Sequence, residues 1–291
     1  MTWITLSLLC ALSLASADAT TKAWLQGFSA VELLIVRFCV PGLLMTPLLS
    51  GLPPLAELPL AFWLWIAALV PLELAAMLLY MAAIRDHPLS LTVPYLAFSP
   101  VFVIAIAWAL LGEHVSARGA SGILLVVLGA WLLNATQARM TDWRTWMRPL
   151  TAIFYARGSR LMLGVAVIYA VTATLGKGAM QYVPPESFGA FYFGVLGLTV
   201  FVLVVLPRPR RLLKLGKRPW AVLTVGGLLA VMVFTHFLAI QQVEVAYMIA
   251  VKRTSLLFGI LYGALLFGEE NMVARIPAGL IMVSGVALIL V

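Results

Sequence analysis

The sequence predicts an all-α, polytopic membrane protein with ten transmembrane helices in two inverted five-helix repeats. Three observations lead there. Hydrophobic residues make up 63% of the 291 and charged residues 10%, where a soluble domain carries about 45–50% and about 25%. The apolar residues gather into ten runs, most of them near the roughly 20 residues that a spanning helix needs. The second half of the chain repeats the first after a shift of about 155 residues.

The runs cover roughly 2–24, 31–49, 59–84, 88–111, 119–135, 160–182, 187–206, 219–241, 243–267 and 273–291. Each is read as a helix, because lipid offers no water to satisfy backbone groups and no alternating barrel pattern is present. The first run has a competing reading as a signal peptide, with Ala15-Ser16-Ala17 as a small-residue site before Asp18. No Lys or Arg precedes it, and its removal would destroy the repeat. Glu32 and Arg37 flank the start of the second run and are read as interface-stabilising. Glu73 lies near the middle of the third. Pro94 and Pro100 in the fourth predict a kink beside the interior, with plain packing curvature as the competing account.

Between the fifth and sixth runs, Trp143, Trp146, Met147, Leu150 and Phe154 recur at helical spacing among Arg139, Arg144, Arg148 and Arg157. This predicts an interfacial helix on anionic headgroups; the competing reading is a disordered basic linker. The chain therefore divides into a first repeat at 1–135, a basic linker at 136–159 and a second repeat at 160–291.

In the repeat, Lys22 falls on Lys177, Tyr80-Met81-Ala82-Ala83-Ile84 on His236-Phe237-Leu238-Ala239-Ile240, and Ser99 on Ser255. Gly112-Glu113 falls on Gly268-Glu269, and Gly129 on Gly285. Five helices per half is an odd number, so the second half enters the membrane in the opposite sense, with a site expected near the midplane between the halves. The halves differ where function is expected. Lys252 and Arg253 fall on Leu96 and Ala97, and Glu73 falls on Leu229.

Lys252 and Arg253 sit near the middle of the ninth run, where a cation costs a few kcal/mol or more unless it faces a wet interior or a partner. Ser255, Gly259 and Gly263 share the face of Lys252. Two readings stay open: a cationic lining for an anionic group, or a structural ion pair. Glu73 is the candidate partner and, as a lone carboxylate at depth, the candidate proton carrier; Asp18 is the second such candidate, at a cavity mouth or paired with Lys22. Tyr95, Tyr247, Pro94, Ser255 and His236 complete the candidate binding residues, His236 with the competing reading of a satisfied core histidine. Lys22 and Lys177 are read as snorkelling to the interface, and Gly259-x-x-x-Gly263 as a close-packing motif.

The net charge is +8, but its distribution encodes topology and not a nucleic-acid face. Fourteen of the nineteen basic residues fall in the odd-numbered connections, and only Arg118 in an even one. The positive-inside rule puts the odd connections in the cytoplasm and both termini outside. Cys10 and Cys39 lie in apolar runs and are read as packing residues, not a disulfide. No Walker loop, HExxH, GxSxG or paired-Cys motif is present, so no enzyme, cofactor or metal is expected.

The chain resembles the drug/metabolite transporter superfamily, specifically its EamA-like family. The similar pieces are Ala17-Asp18-Ala19-Thr20-Thr21-Lys22, Arg37-Phe38, Pro88-Leu89-Ser90-Leu91-Thr92-Val93-Pro94 running to Pro100-Val101-Phe102 and Gly112-Glu113, and Val251-Lys252-Arg253-Thr254-Ser255 running to Gly268-Glu269-Glu270. The resemblance implies a ten-helix secondary transporter of a small metabolite or drug with a cavity between the halves. It also implies cytoplasmic termini, opposite to the charge count. The expected partners are the lipid bilayer of a bacterial inner membrane and a small substrate, anionic or zwitterionic, with the protein a monomer or homodimer. A membrane enzyme or flippase for lipid-linked substrates and a non-transporting sensor are the alternative readings.

Overall fold

The computed structural model describes residues 1–86, 93–135, 155–268 and 272–290. Residues 137–154 of the expected interfacial stretch 137–159, the 88–92 piece of the proline motif and the Glu269-Glu270 pair lie outside the described residues, as does the side chain of Pro94, while Arg157 to Ser159 open the helix that follows. Everything described is helix, turn or irregular, with no strand among the described residues.

The long helical segments are α1 (Trp3–Trp24), α2 (30–44), α3 (Leu60–Asp86), α4 (93–111), α5 (Ala117–Ala135), α6 (Arg157–Ala179), α7 (Pro185–Val205), α8 (Pro219–Gln242), α9 (Val245–Phe267) and α10 (Met272–Leu290). Six of them, α1, α3, α6, α7, α8 and α9, are long and apolar enough to cross a membrane, and α4, α5 and α10 are shorter apolar helices. Leu64, Trp108, Leu198, Leu265 and Leu280 point outward and stay exposed. So much outward-facing apolar surface is tolerable only where the surroundings are lipid. The chain is a multi-pass membrane protein.

Several segments are broken in ways that matter. The start of α2 carries a capping box: Glu32 N–H donates to Ser29 Oγ at 3.3 Å, and Ser29 N–H donates to Glu32 Oε2 at 2.6 Å. One turn on, Ile35–Cys39 widens to a π-helix with Arg37 at its centre; single π-turns inside α-helices are often found at functional sites. In α4, Val93–Phe98 is a 3₁₀ stretch and the α-helix proper starts at Ser99. Pro100 therefore sits in a first turn, where its missing N–H has no partner to lose. The expected proline kink is instead a 3₁₀-to-α junction.

The helices interlock across the halves. The most extensive pairings are α5 with α10, α1 with α8 and α3 with α6. Where α5 crosses α10, a Cβ on Gly285 would lie 2.6 Å from the Gly122 carbonyl oxygen, and one on Gly122 would lie 2.7 Å from that of Gly285. Only glycine permits that backbone contact, and in lipid such close approach is the main source of helix association. The expected close packing at Gly259 is not found; no atom lies within 4 Å of where its Cβ would stand.

Candidate functional site

The site begins at a break in α9. Val245–Lys252 and Ser255–Phe267 are separate α-helical stretches joined at Arg253-Thr254. The junction is tightened by three-residue hydrogen bonds, from Arg253 N–H to Ala250 O at 3.1 Å, Thr254 N–H to Val251 O at 2.9 Å and Leu256 N–H to Arg253 O at 3.0 Å. The buried Thr254 hydroxyl donates to Val251 O at 2.7 Å. Satisfying the backbone locally lets the chain irregularity exist at depth, and it turns two consecutive cations into the protein.

Both cations line a cavity of about 340 Å³ enclosed by α1, α2, α3, α4, α6, α7, α8 and α9. Arg253 donates through Nη2 to Ser99 Oγ, at the 3₁₀-to-α junction of α4. Its buried Nε has no partner. Lys252 Nζ lies 3.5 Å from His236 Nδ1. Across the cavity, Glu73 stands near the Thr172 and Tyr192 side chains and within the field of Lys252. No ion pair joins Glu73 to either cation of α9. Tyr192, 4% exposed, turns its hydroxyl toward the Glu73 carboxyl. Buried polar groups are normally satisfied, and here Arg253 is held by Ser99 while Tyr192 faces Glu73.

Asp18 lines the same cavity and pairs with Arg37, not with Lys22. Three cations, Arg37, Lys252 and Arg253, thus face two carboxylates, one of which Arg37 already occupies. The remaining wall is apolar and aromatic, including Phe38, Phe193 and Phe237.

Of the residues expected from sequence, Lys252, Arg253, Ser255, His236, Glu73 and Asp18 meet in this cavity. Tyr95 and Tyr247 do not line it. Tyr95 is fully buried against Trp131. The Tyr247 hydroxyl accepts the Ser116 N–H at 3.1 Å in the α4–α5 connection. The structure adds Arg37, Tyr80, Tyr169, Thr172 and Tyr192. Stepping from Glu73 by four and seven residues reaches Met77 and Tyr80, so the α3 lining could have been read by helical periodicity. Nothing in the sequence ties Tyr169 or Tyr192 to it, because they stand on other helices.

One end of the bundle is tied separately. Lys177 Nζ donates to Glu113 Oε1 at 2.5 Å and to Val243 O at 2.7 Å, and Glu113 Oε2 accepts the Val245 N–H at 2.8 Å. The expected snorkelling of Lys177 is replaced by this half-buried ion pair across the halves. Lys22, its counterpart in the repeat, lies 4.3 Å above the Phe267 ring centroid. Among the described residues, no cluster of His, Cys, Asp and Glu could hold a metal ion, and Cys10 and Cys39 are both free.

A lipid-facing helical bundle around a charged chamber defines a class, the multi-pass membrane transporters. The chain belongs to the EamA-like transporter family, which matches residues 1–135 and 156–291. It is thus a membrane transporter of the drug/metabolite superfamily. No curated protein matches the sequence. Among solved structures the chain is similar to a crystal structure of a protein 16% identical, with a TM-score of 0.71, over 98% of this chain and 94% of that one. That likeness speaks to the fold alone.

Proposed function

We propose that the protein is a secondary-active transporter of a small anionic or zwitterionic metabolite, working by alternating access between two inverted five-helix repeats, 1–135 and 160–291. The observation that carries the reading is the chamber lined from both halves, in which three cations, Arg37, Lys252 and Arg253, face two carboxylates, Asp18 and Glu73. Lys252 and Arg253 hold the substrate's anionic group. Glu73, which makes no ion pair with the described cations of the chamber, takes up and releases the coupling proton.

The helix pairings support the two-fold plan. Exchanging the halves turns the α1–α8 pairing into α6–α3, α1–α9 into α6–α4, and α4–α5 into α9–α10, while α2–α7, α4–α9 and α5–α10 map onto themselves. All of these pairings occur. Ten spans then place Lys177–Glu113 at one end of the bundle and Glu32–Lys214 at the other. Opening each end in turn means breaking these ties alternately. The basic-rich end faces the cytoplasm of a bacterial inner membrane, with both termini outside.

The test is flux into proteoliposomes, with and without a pH gradient, over a panel of amino acids, organic acids, nucleosides and cationic drugs. A carboxylate-bearing substrate is expected to move, and a Lys252→Met, Arg253→Met protein to lose that movement. Flux of cationic compounds alone, unaffected by those substitutions, would overturn the assignment.

A further inference from the structure

The connection between α7 and α8 is not built as a loose tether. Pro207 and Pro209 each fix a backbone angle. Lys214 reaches the first half, bonding Glu32 Oε2 at 2.8 Å and Gly27 O at 2.9 Å, and Arg218 donates to the Trp24 carbonyl. Between this connection and the start of α2 these bonds frame a recess of about 500 Å³, lined by Glu32, Arg208, Arg210, Arg211 and Lys214. Its single acid is already engaged by Lys214 and by the Ser29 N–H. Arg211 turns back onto Val204 O at 2.8 Å. Arg208 and Arg210 remain, exposed, with no carboxylate paired to them among the described residues.

Position and rim identify what fits. α7 ends at Val205 and α8 begins at Pro219, so the recess lies where two apolar helices leave the hydrocarbon. In the same connection and at the start of α8, Leu206, Leu213 and Trp220 are 59%, 72% and 79% exposed. An exposed tryptophan and leucines beside a basic recess match the headgroup level of a bilayer, where each cation gains about 1 kcal/mol from an anionic leaflet.

We infer that this recess binds the headgroup of an anionic phospholipid, with Arg208 and Arg210 on the phosphate oxygens and Leu206 and Leu213 against the acyl chains. Guanidinium forks match phosphate oxygens two at a time. A soluble phosphate would leave the apolar rim bare. A lipid seated there clamps the α7–α8 connection to the start of α2, and so joins the two halves through the Lys214–Glu32 pair. This holds whatever the transported substrate is.

The experiment is native mass spectrometry of the full-length protein released from detergent, after equilibration with phosphatidylglycerol, phosphatidylcholine or inorganic phosphate. Phosphatidylglycerol is expected to be retained at least about fivefold over phosphatidylcholine, and millimolar phosphate to leave it in place. An Arg208→Gln, Arg210→Gln protein should lose that preference, while Lys217→Gln, outside the recess, keeps it. Equal retention of the two lipids, displacement by phosphate, or equal loss in the Lys217→Gln control would overturn the assignment. Should the double variant prove misfolded, the wild-type lipid and phosphate competition decides alone.

Discussion

α4 and α9 occupy equivalent places in the two halves, and their shared features differ in kind from the unshared ones. Both are interrupted at positions matched by the repeat, α4 at the Phe98–Ser99 junction and α9 at Arg253–Ser255. Both end on a left-handed glycine, Gly112 at φ 67° and Gly268 at φ 62°. Ser99 and Ser255, related by the repeat, both line the cavity. Yet the residues just before the break are Leu96 and Ala97 in one and Lys252 and Arg253 in the other. The lesson is that the break is shared by both halves, while the charge that the proposed function relies on is placed in one. Arg253 even donates its hydrogen bond to the opposite helix, so the charged half uses the neutral half's serine as a rest.

The largest effect should follow from removing what is unshared. Losing a charge-assisted hydrogen bond to a ligand costs roughly 1.5–3 kcal/mol, so Arg253→Met should lower flux about tenfold or more. Leu96→Met, at the position equivalent to Lys252, exchanges one apolar side chain for another of similar volume and should leave flux within about twofold. Similar losses in both would erase the distinction between the helices.

Next is Glu73→Gln, whose equivalent in the repeat is Leu229. The variant should still exchange substrate across the membrane but no longer respond to an imposed pH gradient, as read by flux at matched and unmatched pH. An unchanged pH response would remove Glu73 from coupling.

Smaller still is the tie at the end of α4. Glu113 and Lys177 side chains are 12% and 22% exposed, between the buried and surface cases. Glu113→Gln should therefore destabilise the fold by about 2 kcal/mol, measured by thermal unfolding in detergent. Replacing Lys177 by Met in the same protein should recover part of the loss, because the uncompensated cation is then gone.

The smallest effect is expected where the helices are alike. Gly112→Ala and Gly268→Ala each force a Cβ into the left-handed region, for about 1 kcal/mol apiece. Both sites have open space around them, so the two losses should be equal. A marked inequality would mean that one of these turns does more than end a helix.

Much of this was legible from the chain because lipid imposes strict rules. Helix identity follows from backbone hydrogen bonds that lipid cannot replace, so the expected runs are helical where described, six of them long and apolar enough to cross a membrane. Lys252 and Arg253 stand out because a cation inside an apolar run must be accounted for. The partners were not legible. Asp18 has Lys22 one turn away, yet it pairs with Arg37 on another helix. Gly259 carries the packing spacing yet has open space beside it, while a close backbone contact is made by Gly122 and Gly285. Local spacing identifies residues that share a helical face but says nothing of the helix set against that face.

The sequence by itself determined that the chain crosses the membrane repeatedly, that its halves are related, and which side chains are too polar for lipid. Composition and periodicity suffice for that, since each is a property of one segment and its solvent. Only the tertiary structure decided that Tyr169 and Tyr192 join Glu73, that Ser99 holds Arg253, and that Tyr95 and Tyr247 stand elsewhere. Those outcomes depend on the relative rotation and approach of helices far apart in the chain, which are set by packing among many side chains at once.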